Sequence, residues 1–172
     1  MKLERKFLIL ATIASAVVAL DQLTKLYIHT GFALGESVPV IRDIFHITYV
    51  RNTGAAFGIF REMGELFRQL FFLSMPPIAM VIIVMMLRNV ENHDRWQIFS
   101  LSLIFGGAIG NYIDRLRFGY VIDFLDFHYK EVWSYPAFNV ADSAIVSGVF
   151  VLLVLMTLRD RALKRASRAQ KT

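Results

Sequence analysis

The fold class this sequence predicts is an α-helical integral membrane protein, with four transmembrane helices and a small extracytoplasmic β-sheet between helices 1 and 2. Three observations predict it. Hydrophobic residues fill 56% of the 172 positions and the mean hydropathy is +0.50, more apolar than an ordinary soluble domain. Four apolar runs approach the length of about 20 residues that crosses a hydrocarbon core about 30 Å thick. Six of the nineteen basic residues (Arg159, Arg161, Lys164, Arg165, Arg168 and Lys171) follow directly on the last run, as a polybasic anchor on anionic lipid would. That clustering argues against nucleic acid as a partner. With no cysteine in the chain, thiol catalysis, disulfides and Cys-based metal sites are excluded.

The helices are expected at 7–28, 67–87, 96–113 and 138–158, with outer loops at 30–65 and 114–137, in a single domain covering 1–172. Lys2, Arg5 and Lys6 precede the uncharged run 7–20 in the manner of a signal peptide. The small residues Ala14-Ser15-Ala16 fall inside that run, however, and three further runs follow, so a retained first helix is expected. Residues 30–65 are too polar and Gly-rich to span. Within them, residues 43–50 are rich in β-branched and aromatic side chains, which predicts a strand, and residues 34–41 are placed to form a hairpin with it. Asn52-Thr-Gly54-Ala-Ala-Phe-Gly58 then collects small residues where a backbone can approach a ligand closely.

Residues 69–87 are uncharged, and Pro76-Pro77 within them is expected to kink a helix that a membrane tolerates. In the third helix Ser100, Ser102, Gly106, Gly107 and Gly110 supply the small surfaces that close helix packing uses. The second loop carries aromatics suited to an interface. Orientation follows from the basic residues. The N-terminus, the 88–95 turn and the tail hold eleven basic and four acidic residues, the other side eight and ten. Both termini are therefore expected in the cytoplasm.

Helix rise then measures depth. Asp21 lies roughly 22 Å beyond Lys6, Asn111 roughly 24 Å beyond Arg95, and Asp142 roughly 25 Å from Arg159. Lys25 and Asp114 lie about one turn further out. Polar groups from three helices thus fall in one layer just below the outer surface, where a carboxylate is costly and marks a candidate site. Asn111 and Asp114 share a helix face at i, i+3, as do Asn139 and Asp142, and Asp21 and Lys25 have ion-pair spacing at i, i+4.

Two carboxylates held close cannot both ionise cheaply, so one keeps a proton. The ionised one can activate water while the protonated one polarises a carbonyl. Asp142 is one candidate, and Asp114, Asp123 and Asp126 are candidates for its partner. The apolar surroundings of Asp123, in Tyr120-Val-Ile-Asp-Phe-Leu125, favour it over Asp114, whose neighbour Arg115 suggests a structural ion pair. Plainer readings stand beside these: Asn139 and Asp142 as the N-terminal cap of helix 4, and Asp21–Lys25 as a structural pair. His29, His46, His93 and His128 show no metal spacing. The serine at Ser147-Gly148 lacks a glycine two residues before it, and Asp142-Ser143 is followed by Ala144, so serine intramembrane and soluble aspartic protease motifs are both missing.

Taken together, Asp21-Gln-x-Thr-Lys25, Asn52-Thr-Gly-Ala-Ala-Phe-Gly58, Gly110-Asn-x-x-Asp-Arg115 with Val121-x-Asp-Phe124, and Phe138-Asn-x-Ala-Asp142 resemble the lipoprotein signal peptidase family, signal peptidase II. The blocks run in order through essentially the whole chain. The resemblance implies a bacterial inner-membrane aspartyl endopeptidase, multi-pass, with its site near the periplasmic face and no metal or cofactor. It implies cleavage of the signal peptide of a prolipoprotein just before a diacylglyceryl-modified cysteine. The implied catalytic pair is Asp123 and Asp142. Asn52, Gly54, Asn111, Arg115 and Asn139 correspond to positions lining the substrate site, and Asp21, Lys25 and Asp114 to supporting ones. The expected partners are the prolipoprotein and membrane lipids, and a monomer is expected. Two rival classes are a small proton-coupled transporter, which four helices without an internal repeat disfavour, and a non-catalytic anchor or chaperone for lipoproteins.

Overall fold

The computed structural model describes residues 4–54, 64–129 and 132–169. The elements in chain order are α1 (Arg5–Gly31), β1 (Ser37–Ile41), β2 (Phe45–Asn52), α2 (Glu65–Arg88), α3 (Arg95–Phe118), β3 (Val121–Tyr129), β4 (Trp133–Ser134) and α4 (Val140–Ala169). Residues 55–58 of the small-residue block lie outside the described residues.

Segments of three helices are long and apolar enough to cross a membrane: Arg5–Gly31, Leu70–Arg88 and Val140–Ser167. Large apolar side chains point outward on each of them, with Leu23, Ile82, Val146 and Phe150 exposed. α3 is less apolar for a physical reason. It touches α1, α2 and α4, and its Ser100, Ser102, Gly106, Gly107, Gly110, Asn111 and Asp114 are buried against protein. A helix walled in by others need not be oily all round. Its glycines act as the sequence suggests. A Cβ on Gly107 would run into the backbone oxygen of Ala141, and one on Gly148 would come 2.6 Å from that of Ser100. Only hydrogen at these positions lets α3 and α4 approach so closely.

All four helices run past their predicted C-terminal bounds, because backbone hydrogen bonding does not stop at the edge of an apolar run, while α4 begins at Val140, two residues after the predicted start at 138. α3 continues past residue 113 to Phe118, so Asp114 and Arg115 are helical rather than loop residues. It ends where Gly119 adopts a left-handed conformation (φ 74°) and donates its N–H to the Arg115 oxygen at 3.0 Å, the usual C-terminal stop. α4 continues eleven residues beyond 158 to Ala169 through Arg, Ala, Leu and Lys, all good helix formers. At the other end of the bundle, Lys6 is buried and its Nζ donates to the carbonyls of Arg88 (2.8 Å) and Val90 (3.0 Å). It thereby satisfies acceptors that the C-terminus of α2 leaves open. Arg159 of α4 binds Asp94 and Gln97 at the start of α3.

The expected hairpin forms, with Ser37 opposite Thr48 and Pro39 opposite His46. The expected placement of the sheet between helices 1 and 2 needs correction. The strands run in the order β1-β2-β3-β4, so the second loop supplies half of them. A two-stranded hairpin leaves the β2 edge with unpaired backbone groups, and β3 satisfies them antiparallel, with Val50 opposite Asp123 and Asn52 opposite Val121. The sheet rests on α1 and α3 through Ile28, Tyr49, Ile122 and Phe124, with Phe118 and Val140 packed against them.

Candidate active site

Local rules place each polar side chain. On β3, residues two apart share a face, so Asp123 points the same way as Val121. Asn52 opposes Val121 and is therefore the diagonal cross-strand neighbour of Asp123. Its Nδ2 donates to Asp123 Oδ2 at 2.9 Å. The Asn52 amide is fixed from behind, because the Gly54 N–H donates to its Oδ1 at 2.9 Å. Gly54 has φ 108° and the Phe72 ring occupies the space a side chain would need, so no other residue fits without strain. Gly54 thus holds Asn52, one of the residues expected to line the substrate site.

Asn139 immediately precedes α4 and caps it. Its Oδ1 accepts from the Asp142 N–H at 2.9 Å, and Asp142 Oδ2 accepts from the Asn139 N–H at 3.3 Å, a reciprocal capping box. The plain reading as a cap is therefore correct, but it is incomplete. Asn139 Nδ2 also donates to Asp123 Oδ1 at 2.7 Å, and Asn111 Nδ2 donates to Asp142 Oδ1 at 2.7 Å. One asparagine thus holds both aspartates. Asp126, three residues from Asp123, falls on the opposite face of β3 and accepts from Thr48, which removes it as a partner for Asp142.

Beneath the pair, Lys25 Nζ meets three acceptors: Asp21 Oδ2 at 2.9 Å, Asp114 Oδ2 at 3.0 Å and Asn111 Oδ1 at 3.0 Å. The i, i+4 pair forms as its spacing predicts. Asp114 pairs with Lys25 rather than with Arg115, since adjacent helical residues point about 100° apart. Arg115 instead places its guanidinium 5.5 Å from the Phe72 ring, and its charge acts on Asp142, Asp123 and Asp114. All ten predicted site residues thus fall in one connected layer. Sequence reasoning passed over Gln22, which bridges Asp21 and Asp114, and Phe72. Gln22 sat inside a recognised block, but a neutral amide gives no depth or charge signal. Among the described residues no three His, Asp or Glu side chains are grouped to hold a metal ion.

The electrostatics of the layer are lopsided. Among the described residues, Asp21, Asp114, Asp123 and Asp142 face Lys25 and Arg115 as cations, so full ionisation there sets four negative charges against two positive ones in a buried place. Asp123 is 1% exposed. Burial first, and the charge of Asp142 second, push its pKa up to about 7, against the lowering pull of Asn52 and Asn139. A carboxyl that keeps its proton near neutrality beside a second carboxylate is an arrangement for general acid–base hydrolysis.

The chain is also similar to known proteins. A family model described as signal peptidase (SPase) II matches residues 13–158. The lipoprotein signal peptidase of Syntrophus aciditrophicus (strain SB) is 46% identical over 148 residues, 86% of this chain and 91% of that one. That of Syntrophotalea carbinolica (strain DSM 2380 / NBRC 103641 / GraBd1) is 47% identical over 149 residues, 87% and 91%. Two solved bacterial membrane enzymes share the fold. One, at 2.3 Å resolution, has a TM-score of 0.77 at 34% identity, covering 90% of each chain. The other, at 1.9 Å, has a TM-score of 0.74 at 35% identity, covering 86% and 91%. With a family match running from the first helix to the last and relatives this similar over most of their length, the chain belongs to the signal peptidase II family.

Proposed function

We propose that this protein is an aspartyl endopeptidase that removes the signal peptide from diacylglyceryl-modified prolipoproteins, cleaving before the lipidated cysteine at the outer face of the inner membrane. The observation that carries the reading is Asn139, whose side chain and backbone bond to Asp123 and Asp142 at once. Asp142 takes a proton from a water molecule whose oxygen attacks the scissile carbonyl carbon. Asp123 donates its proton to the carbonyl oxygen, giving a neutral tetrahedral intermediate. Collapse returns that hydroxyl proton to Asp123, while Asp142 passes its own to the departing cysteine nitrogen as the C–N bond breaks. A cysteine anchored by its lipid keeps the scissile bond at membrane depth, which is where the polar layer lies.

α3 acts as the fourth span, and both termini face the cytoplasm. The position of Lys6, Arg88 and Arg159 at one end of the bundle and of the sheet at the other supports this orientation. The protein works as a monomer, a reading supported by one chain supplying every member of the layer. Incubating the purified protein with a lipidated precursor tests the function: release of the signal peptide is expected, and none from a vesicle in which only proton flux appears.

Asn52 and Arg115 hold substrate backbone or lipid carbonyls through donors directed into the site. Changing either to alanine is expected to slow turnover about 10- to 100-fold, while melting in detergent shows a folded protein. Unchanged turnover removes the assignment.

The proton on Asp123 sets a pH dependence. Cleavage is expected to fall as pH rises through about 7, where Asp123 loses its proton; a rate flat to pH 9 overturns this role. Stability follows the same group. The folded carboxyl is raised above its unfolded value near 4, so its contribution is fully present below about pH 4 and is lost as pH climbs to about 7. The slope is about 1.4 kcal/mol per unit, and Asp123→Asn is expected to lack it.

A further inference from the structure

Each catalytic aspartate is held by the backbone amide just before it, and both amides lead to one quartet, buried Asp21, Lys25 and Asp114 with half-buried Gln22. The Ile122 N–H, preceding Asp123, donates to Asp114 Oδ2 at 3.0 Å. The Ala141 N–H, preceding Asp142, donates to Asp21 Oδ1 at 2.9 Å. Asp21 and Asp114 are 0% and 1% exposed, and two links join them. Lys25 supplies one, with Nζ on the Oδ2 of each. Gln22 supplies the other, with Nε2 on Asp114 Oδ1 at 2.9 Å, Asp21 Oδ2 at 3.2 Å and the Gly110 oxygen at 3.2 Å.

Strand β3 is already bonded directly to the start of α4 through the Leu125–Phe138 backbone bridge and Asn139. From the symmetry beneath that bridge we infer that Gln22 is a positioning residue, which with Lys25 sets how Ile122 and Ala141, and so Asp123 and Asp142, are oriented toward each other. Beside the separate backbone amide that each carboxylate accepts, Lys25 alone would join Asp21 to Asp114 through a single nitrogen. A second contact, on the other oxygen of Asp114, doubles that link. Gln22 does this without adding charge. A cation there would compete with Lys25, and a carboxylate would add a third negative group. The groups facing the catalytic pair are Asp21 and Lys25 from α1 and Asp114 and Arg115 from α3, and the carboxamide changes none of their charges. The inference rests on the peptidase reading above.

The test compares wild type, Gln22→Met and Gln22→Glu, and the double variant Gln22→Glu/Asp114→Asn, on a lipidated precursor from pH 5 to 9. Methionine keeps the length and removes the donors. For Gln22→Met, kcat is expected to fall about 10- to 100-fold with KM within about twofold, since no substrate contact is removed. The alkaline limb is expected to move to lower pH, because a looser pair exposes Asp123 to less of the Asp142 charge. A merely structural role lowers the melting temperature but leaves kcat and the limb of the folded fraction unchanged, and that result overturns the inference. If Gln22→Met does not fold, the double variant decides. It reverses donor and acceptor between positions 22 and 114, so activity above that of Gln22→Glu alone supports the link, and no gain overturns it. A wild type that leaves the precursor uncut, by contrast, overturns the peptidase reading and this inference with it.

Discussion

Asparagine at position 142 is expected to slow prolipoprotein cleavage by about 100- to 10,000-fold, and asparagine at position 123 by a similar factor, with precursor binding retained. The range is that of a general acid or base removed from its place. The two should act as a unit, so the double variant is expected to be little worse than either single one. Asp142→Asn removes the base but keeps an oxygen for the Asn139 N–H or the Asn111 amide, each of which now donates to Asp142. Asp123→Asn removes the proton donor but keeps an oxygen for Asn52 or Asn139. In both cases a donor is left facing an NH2 group, which costs about 1–3 kcal/mol locally, well short of unfolding the bundle. The measurement is single-turnover cleavage of a lipidated precursor, with binding followed separately. Either variant cutting within tenfold of wild type sinks the acid–base assignment. A non-catalytic chaperone for lipoproteins would show no cleavage to lose.

Lys25→Met is expected to cost about 3–5 kcal/mol of stability, the range for stripping one partner from a buried ion pair. The environment leaves little relief, since Lys25 is 2% exposed and both its carboxylates are as deeply buried. Without the ammonium, Asp21 and Asp114 must take up a proton or draw in water, and Asn111 Oδ1 keeps the Asn139 amide but loses its charged donor. Adding Asp114→Asn should recover part of the loss, because it removes one of the two stranded charges. Thermal melts in detergent give the answer. A Lys25→Met protein that melts with wild type would mean that the quartet contributes nothing net.

Much of this was legible before any coordinates. Helix rise per residue is fixed, so counting from Lys6, Arg95 and Arg159 put Asp21, Asn111 and Asp142 at one depth, and a chain of contacts from Asp21 through Lys25 and Asn111 to Asp142 does join them. The hairpin β1–β2 showed in β-branched and aromatic residues between punctuating glycines. The extent of the sheet did not show. Residues 121–129 carry the same β-branched and aromatic bias, but their apolar character read equally well as loop returning to the membrane surface. Asp114 is a structural ion-pair member as its setting suggested, but its partner is Lys25; Arg115, a neighbour in sequence, is not that partner in space.

By itself, then, the chain determined its membrane-helical class, the alignment of its polar groups along the helices and the family it belongs to, because those follow from local quantities: transfer of apolar groups, rise per residue, spacing on a helix face. Only the tertiary structure decided who meets whom within the layer. Asn139 between two aspartates, Gly54 behind Asn52 and Gln22 between Asp21 and Asp114 all depend on pairings across helices and strands far apart in sequence, where hydrogen-bond direction and close packing select one partner among several at the same depth.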